Sequence, residues 1–196
     1  MRQQSNLEQR IIDISKKHGL SHIGGNLTSV GIIEEIYQIK KEDEPFVISC
    51  GHNSLSLFCV LEQKYGFNAE ELYLKHGTHP NRDLGDKIYC STGSLGMGFL
   101  ISIGMALANP DKMVYCLMSD GEIWEGATYE GGNLMKKYKI NNLRVYVNWN
   151  NWGAYDYIPD SMQDVVKILI PYVKIVKTKV EDYGLNAQSA HYCKLE

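Results

Sequence analysis

The sequence predicts an α/β protein built on a mostly parallel sheet, and three observations carry that prediction. An apolar run from Met113 to Met118 ends in Ser119-Asp120-Gly121-Glu122. A helical-looking segment follows, and Leu143 to Val147 then places apolar residues at alternate positions before Asn148-Trp149-Asn150-Asn151-Trp152. Strand, turn, helix and strand make a βαβ unit. Finally, Phe46 to Ser49 reads as a short buried strand that leads through Cys50-Gly51-His52-Asn53-Ser54 into a helix, Leu55 to Tyr65. In a parallel sheet the strand ends open on one edge, where ligands bind. Asp120 and Asn150 each follow a strand, about thirty residues apart, so a carboxylate and a carboxamide converge there.

The remaining elements follow in order. Leu7, Ile11 and Ile14 fall at helical spacing behind a cap at Ser5, and Gly19 ends that helix. His22-Ile23-Gly24-Gly25 comes next, and two adjacent glycines argue against a regular element there. Ile32, Ile33, Ile36 and Tyr37 then predict a helix capped by Thr28 or Ser29. Ser91-Thr92-Gly93-Ser94-Leu95-Gly96-Met97-Gly98 leads into Phe99 to Ala108, apolar nearly all round, as in a buried helix. This glycine spacing is not the dinucleotide fingerprint, and the strand before it is weak. After the central motif, Asp160-Ser161-Met162 opens a short helix stopped by Pro171, and Tyr172 to Val176 is the last strand.

A chain of 196 residues predicts one domain, 1–196. A net charge of −3 without a basic cluster argues against a general nucleic-acid surface. No apolar run approaches membrane-spanning length and the N-terminus lacks an apolar signal core, so the expected location is cytoplasmic. Cys50, Cys59, Cys90, Cys116 and Cys193 form no Cys-x-x-Cys pair and read as free thiols. His76 and His79 are close in sequence, but no cysteine or carboxylate completes a tetrahedral zinc set locally. Leu195-Glu196 reads as a cloning remnant.

The paired turns suggest a chemistry. Asp120 and Asn150 offer oxygen alone, which suits a hard cation such as Mg²⁺ or Ca²⁺. Two side chains and a carbonyl leave an octahedron unfilled, and a diphosphate would complete it. Gly121 lets the backbone approach that phosphate, and the helix N-terminus behind it favours negative charge.

Asp120-Gly121-Glu122, the gap and Asn150-Asn151 resemble the thiamine-diphosphate motif, and Ser119 to Gly126 resembles the transketolases in particular. Other segments resemble the same family in order. His22-Ile23-Gly24-Gly25 is similar to its His-Pro-Gly-Gly, with isoleucine for proline. Gly51-His52-Asn53-Ser54 is similar to Gly-His-x-Ser, and His79-Pro80 to Gly-His-Pro, with Thr78 where glycine is usual. Gly93-Ser94-Leu95-Gly96 is similar to Gly-Pro-Leu-Gly, and His191 stands near the chain end as in the family's cofactor domain.

The resemblance implies a thiamine-diphosphate-binding fold, its sheet trimmed to about five strands with helices on both faces. Between Asp156 and Asp160, where the family carries a further helix and strand, only Tyr157-Ile158-Pro159 remain. It implies thiamine diphosphate and Mg²⁺ (or Ca²⁺) as cofactors, with Asp120, Asn150 and the Trp152 carbonyl on the metal. His52, Gly93, Ser94, Leu95, Gly121, Glu122, Asn150 and His191 would bind the cofactor, and His22, His79 and His191 would assist proton transfers on a sugar. Asn151 replaces the family's glycine, a position asparagine can fill at positive φ; Asn148 and Asn151 stay open beside Asn150 as metal ligand.

The chain matches only the diphosphate-binding half of such an enzyme, because the catalytic glutamate of the family lies on a pyrimidine-binding domain. The implied function is the N-terminal subunit of a split transketolase. With a C-terminal subunit bringing that domain and glutamate, in a dimer of heterodimers, it would transfer a two-carbon ketol unit between sugar phosphates or related sugars. The alternatives are a paralogue running another thiamine-diphosphate carboligation in specialised sugar biosynthesis, and a non-catalytic cofactor-binding subunit.

Overall fold

The computed structural model describes residues 4–186 and 189–194; Leu195 and Glu196 lie outside the described residues. Four strands form the sheet: β1 (Phe46–Ile48), β2 (Val114–Ser119), β3 (Leu143–Trp149) and β4 (Val173–Lys177). They lie in the order β1-β2-β3-β4 and all pair in parallel. Cys116 stands beside Val47 and Val145, and Val147 beside Ile175.

Among the described residues the sheet has four strands, where the family resemblance implies about five. The weak segment before the glycine motif joins no sheet. Ile88 instead exchanges two backbone hydrogen bonds with Asp83, at 2.8 and 2.9 Å. Its polar groups are satisfied locally, so no ladder forms.

Side-chain alternation splits the core into two layers. Phe46, Ile48, Tyr115, Leu117 and Tyr146 face one side. They pack with α1 (Asn6–His18), α2 (Ile23–Ile39) and α3 (Ser54–Tyr65), through Ile11, Ile33 and Phe58 among others. Val47, Cys116, Met118, Val145 and Val147 face the other side. A short helix, α4 (Ala69–His76), follows α3 and is capped by the Asn68 side chain. The second layer belongs to α5 (Met97–Ala108), α6 (Gly126–Lys137) and α7 (Met162–Leu169), with Phe99, Ile103, Met135 and Val166 buried in it. Both faces of the sheet are covered, the usual condition of parallel strands.

α1 behaves as its sequence predicts. Ser5 and Glu8 cap it reciprocally, and Gly19 ends it at φ +58°. α2 departs from expectation. It begins at Ile23, so Gly24 and Gly25 lie within its first turn, and neither Thr28 nor Ser29 is its cap. The glycines serve packing here. A Cβ on Gly25 would fall 2.2 Å from Asn53 Oδ1, and one on Gly24 would fall 2.6 Å from the Ala190 Cβ. α5 also departs: Met97 is 43% and Leu107 49% exposed, so the all-apolar helix buries one face and shows another.

Cys50, Cys59, Cys90, Cys116 and Cys193 are free, the first four buried. Among the described residues no helix is long and apolar enough to cross a membrane.

Candidate functional site

A cleft of about 320 Å³ opens at the carboxyl end of the sheet. β2 delivers Asp120 to its floor and β3 delivers Asn150. Asp120 heads a short 3₁₀ turn, Asp120–Trp124, that feeds α6. Its side chain is 1% exposed. Oδ1 accepts from the Gly121 amide at 2.9 Å, and Oδ2 from the amides of Asn150 at 2.9 Å and Asn151 at 2.6 Å. Burial pushes the carboxyl up to about 7, although those amides pull the other way.

The neighbouring acceptors are partly engaged. Asn150 Oδ1 accepts from the Trp152 amide at 2.9 Å. The Trp152 carbonyl pairs with His191 Nε2 at 2.9 Å. A carboxylate offers about four lone-pair sites, and an amide or peptide carbonyl two. Among the described residues, each of the three predicted ligands thus has acceptor capacity beyond the bonds it makes, next to a carboxylate whose charged form burial penalises. This all-oxygen donor set fits a hard divalent ion. The cradle also fits a phosphorylated ligand: a Cβ on Gly121 would meet nothing nearer than Gly153 Cα at 3.5 Å, so its backbone borders open space.

The three asparagines separate cleanly. Asn150 lines the cleft. Asn148 is 1% exposed and binds Thr28 Oγ1, Ser29 Oγ and Thr178 Oγ1 inside the protein. Asn151 holds φ +68°, the left-handed conformation its residue type allows, and its side chain turns to Ile158 and Asp160.

Histidines form the rim. His22 sits at φ +61° just before α2, with its amide donating to the His191 carbonyl at 2.8 Å. Its ring lies 5.5 Å from that of His52 and 6.3 Å from that of His191, and the His52 and His191 rings are 6.5 Å apart. His79 joins them in lining the cleft. Burial, then the other imidazoles, lowers His22 below the ordinary histidine value and pushes His52 down to about 3. Both rings are therefore neutral at pH 7, suited to hydrogen bonding rather than to ion pairing.

The remaining candidates divide. Gly93, at φ +151°, and Leu95 line the cleft, and Gly121 borders its floor. Ser94 and Glu122 do not line it. Glu122 is fully buried behind the motif: Oε1 accepts from Ser49 Oγ and from the Gly96 amide at 2.8 Å, and Oε2 from the Ser119 amide at 2.7 Å. That carboxylate ties β1, β2 and the glycine loop together.

Asn53 also lines the cleft, although motif spacing does not mark it as a ligand residue. Its Nδ2 donates to Ser29 Oγ at 3.0 Å, while its buried Oδ1 has no hydrogen-bond partner among the described residues. It does not cap α3 with its side chain. Tyr155 and Tyr192 stand at the mouth. No spacing rule marks them, since they come from a loop and the chain end.

His76 does meet carboxylates, contrary to the local reading: Asp83, Asp86 and His76 present ligand atoms within 4.8 Å of one another. Lys75 Nζ binds both aspartates, at 2.9 and 2.6 Å, and fills the place a cation would take.

Residues 37–156 match the family described as the transketolase thiamine diphosphate binding domain. One of the subunits of the apulose-4-phosphate transketolase of Phocaeicola vulgatus is 32% identical over 163 residues, 72% of this chain and 57% of that protein. The transketolase of Mycoplasma genitalium is 32% identical over 120 residues, 51% of this chain and 18% of that protein. Among solved structures, Campylobacter jejuni transketolase superposes with a TM-score of 0.68 at 18% identity, over 97% of this chain and 40% of that one. Leishmania mexicana transketolase gives 0.63 at 19%, over 85% and 31%. The fold is that of a thiamine-diphosphate-binding α/β domain. The chain belongs to the transketolase family, as its thiamine diphosphate binding domain, and spans roughly half or less of the relatives it matches.

Proposed function

We propose that this chain is the cofactor-holding subunit of a split transketolase, and that Asp120, Asn150 and the Trp152 carbonyl hold Mg²⁺ against the diphosphate of thiamine diphosphate. What supports the reading is a single cleft lined by Asp120, Asn150 and Trp152 together with His22, His52, His79 and His191. The likeness to a protein whose name makes it one subunit of a transketolase supports the division into separate chains.

When bound, thiamine diphosphate supplies the electron sink that carbon–carbon bond cleavage and formation require. The residues of this chain position and shuttle. Asp120 and Asn150 fix the metal, and the Gly121 backbone lets the phosphates approach. His52, on the cleft wall, would be a hydrogen-bonding group for the diphosphate. His22, His79 and His191 hold sugar hydroxyls and carry protons at carbonyl and hydroxyl oxygens, a role suited to imidazole. A partner chain brings the pyrimidine-binding domain and its glutamate, as part of a dimer of heterodimers.

The test is reconstitution. The purified chain alone should show no ketol transfer, and addition of a partner chain carrying the pyrimidine-binding domain should restore transfer between sugar phosphates. Activity of the chain by itself would falsify the split-enzyme reading. A narrower reading, transfer to an unusual acceptor sugar, is favoured by the short hairpin in which Trp152 bridges Tyr157 and which leaves Tyr155 91% exposed at the mouth. A product survey with the reconstituted pair decides between this and ordinary acceptors.

A further inference from the structure

Asn151 directly follows Asn150, and its backbone amide, like that of Asn150, bonds Asp120. At φ +68° it occupies the left-handed region, which costs any residue with a Cβ and which glycine enters freely. In that conformation its amide and that of Asn150 both point at Asp120 Oδ2. A non-glycine there is held by its side chain. Asn151 Nδ2 donates to the Ile158 carbonyl at 2.9 Å and to Asp160 Oδ1 at 2.8 Å.

Asp160 does more than receive that bond. Its Oδ1 also accepts from Trp149 Nε1 at 3.1 Å and from Gln163 Nε2 at 3.0 Å, and its Oδ2 from Lys177 Nζ at 2.9 Å. Trp149 is the last residue of β3, Lys177 the last of β4, and Gln163 lies in the first turn of α7. One carboxylate therefore joins the ends of two strands and the start of a helix to the side chain of Asn151. Asp160 itself does not line the cleft. Three donors meeting on one oxygen and a cation on the other suit an ionised carboxylate, since charge strengthens each bond. A neutral amide there would turn an NH₂ group toward the Lys177 ammonium.

We propose that Asp160 is a positioning residue for the cation site: by holding Asn151 left-handed it aims the Asn150 and Asn151 amides at Asp120, and so sets the spacing of the Asp120 and Asn150 oxygens. The inference rests on the cation site proposed above. Outer residues of this kind commonly change metal affinity by about 10- to 100-fold when removed.

The experiment uses the full chain and two readouts. Amide hydrogen exchange at Asn150 and Asn151 is followed in cation-free buffer, and Mn²⁺ binding is followed by electron paramagnetic resonance with thiamine diphosphate present. Asp160→Ala should speed exchange at both amides and weaken Mn²⁺ binding by about tenfold or more. Adding Asn151→Gly to that variant should recover much of both, because glycine needs no side-chain hold. A merely structural role for Asp160, through Trp149 or α7, predicts no such recovery. Exchange unchanged in Asp160→Ala, or a double variant as impaired as the single one, overturns the proposal. Should Asp160→Ala fail to fold, the hold is removed from its other end: Asn151→Ala leaves Asp160 bonded to Trp149, Gln163 and Lys177, and it should speed exchange at both amides where Asn151→Gly does not, while wild-type exchange in Asn151→Ala rejects the role. Absence of Mn²⁺ binding by the unmutated chain even with the partner chain added would count against the cation site, while the exchange data, taken without cation, would still decide the role of Asp160.

Discussion

Asp120 and Glu122 stand two residues apart in one motif, both buried, and they do different work. Glu122 is enclosed by protein donors from three segments, Ser49, Gly96 and Ser119. Asp120 takes backbone amides alone and faces a cleft. Burial raises both carboxyls above their ordinary values. The difference lies in what completes each shell. Around Glu122 the fold itself does so; around Asp120 acceptor capacity is left over. A buried acid is therefore a ligand candidate when its unsatisfied side opens on a cavity, and a structural tie when it does not.

This contrast can be broken by substitution. The largest effect is expected from Glu122→Ala, which strands buried donors on Ser49, Gly96 and Ser119. A loss of about 3 kcal/mol or more is expected, since three groups are orphaned and each costs about 1–3 kcal/mol; chemical denaturation measures it, and an unshifted midpoint would contradict the structural role. Next comes Gly98→Ala. Its Cβ would lie 2.6 Å from Ser49 Cα and 2.9 Å from Ser49 Oγ, driving Ser49 off Glu122. Overpacking of this kind costs about 1–3 kcal/mol, and the same titration reads it.

Asp120→Asn should read differently: it relieves a buried charge but turns an NH₂ group toward the Gly121 amide, so without a cation a loss of no more than about 1–3 kcal/mol is expected at pH 7, while stabilisation by Mg²⁺ with thiamine diphosphate disappears in thermal melts. The pH dependence sharpens the point. Because the folded chain binds the Asp120 proton more tightly than the unfolded one, that group's contribution to cation-free stability declines as pH rises from 3.8 to about 7. Glu122 is raised too and adds a slope of the same sign to both proteins, so the difference between their stability profiles isolates Asp120. Identical profiles would remove Asp120 from the argument. The smallest effect is expected at Tyr155, 91% exposed at the mouth. Tyr155→Ala should change stability by less than about 0.5 kcal/mol, and any effect should be confined to the acceptor KM of the reconstituted enzyme.

Much of this was legible in residue order. The four strands were visible as apolar runs, and each ends within two residues of its predicted end. Placing Asp120 and Asn150 on one sheet edge followed from parallel topology. The Gly24-Gly25 pair misled, because glycine signals both flexible turns and close helix contacts. Its neighbours, Asn53 and Ala190, are distant in sequence. Glu122 misled for a similar reason: adjacency to a motif does not say which way a side chain turns. Asn53 Oδ1 and the mouth tyrosines carry no periodic signal at all.

What the sequence alone determined is the class of element at each position and the chemistry available at two strand ends, since periodicity and residue type are local properties. Tertiary structure decided which acceptors remain open, which glycines are contact points, and that Asp160 reaches Asn151. Those depend on groups far apart in the chain meeting within hydrogen-bond distance, and no local pattern encodes such meetings.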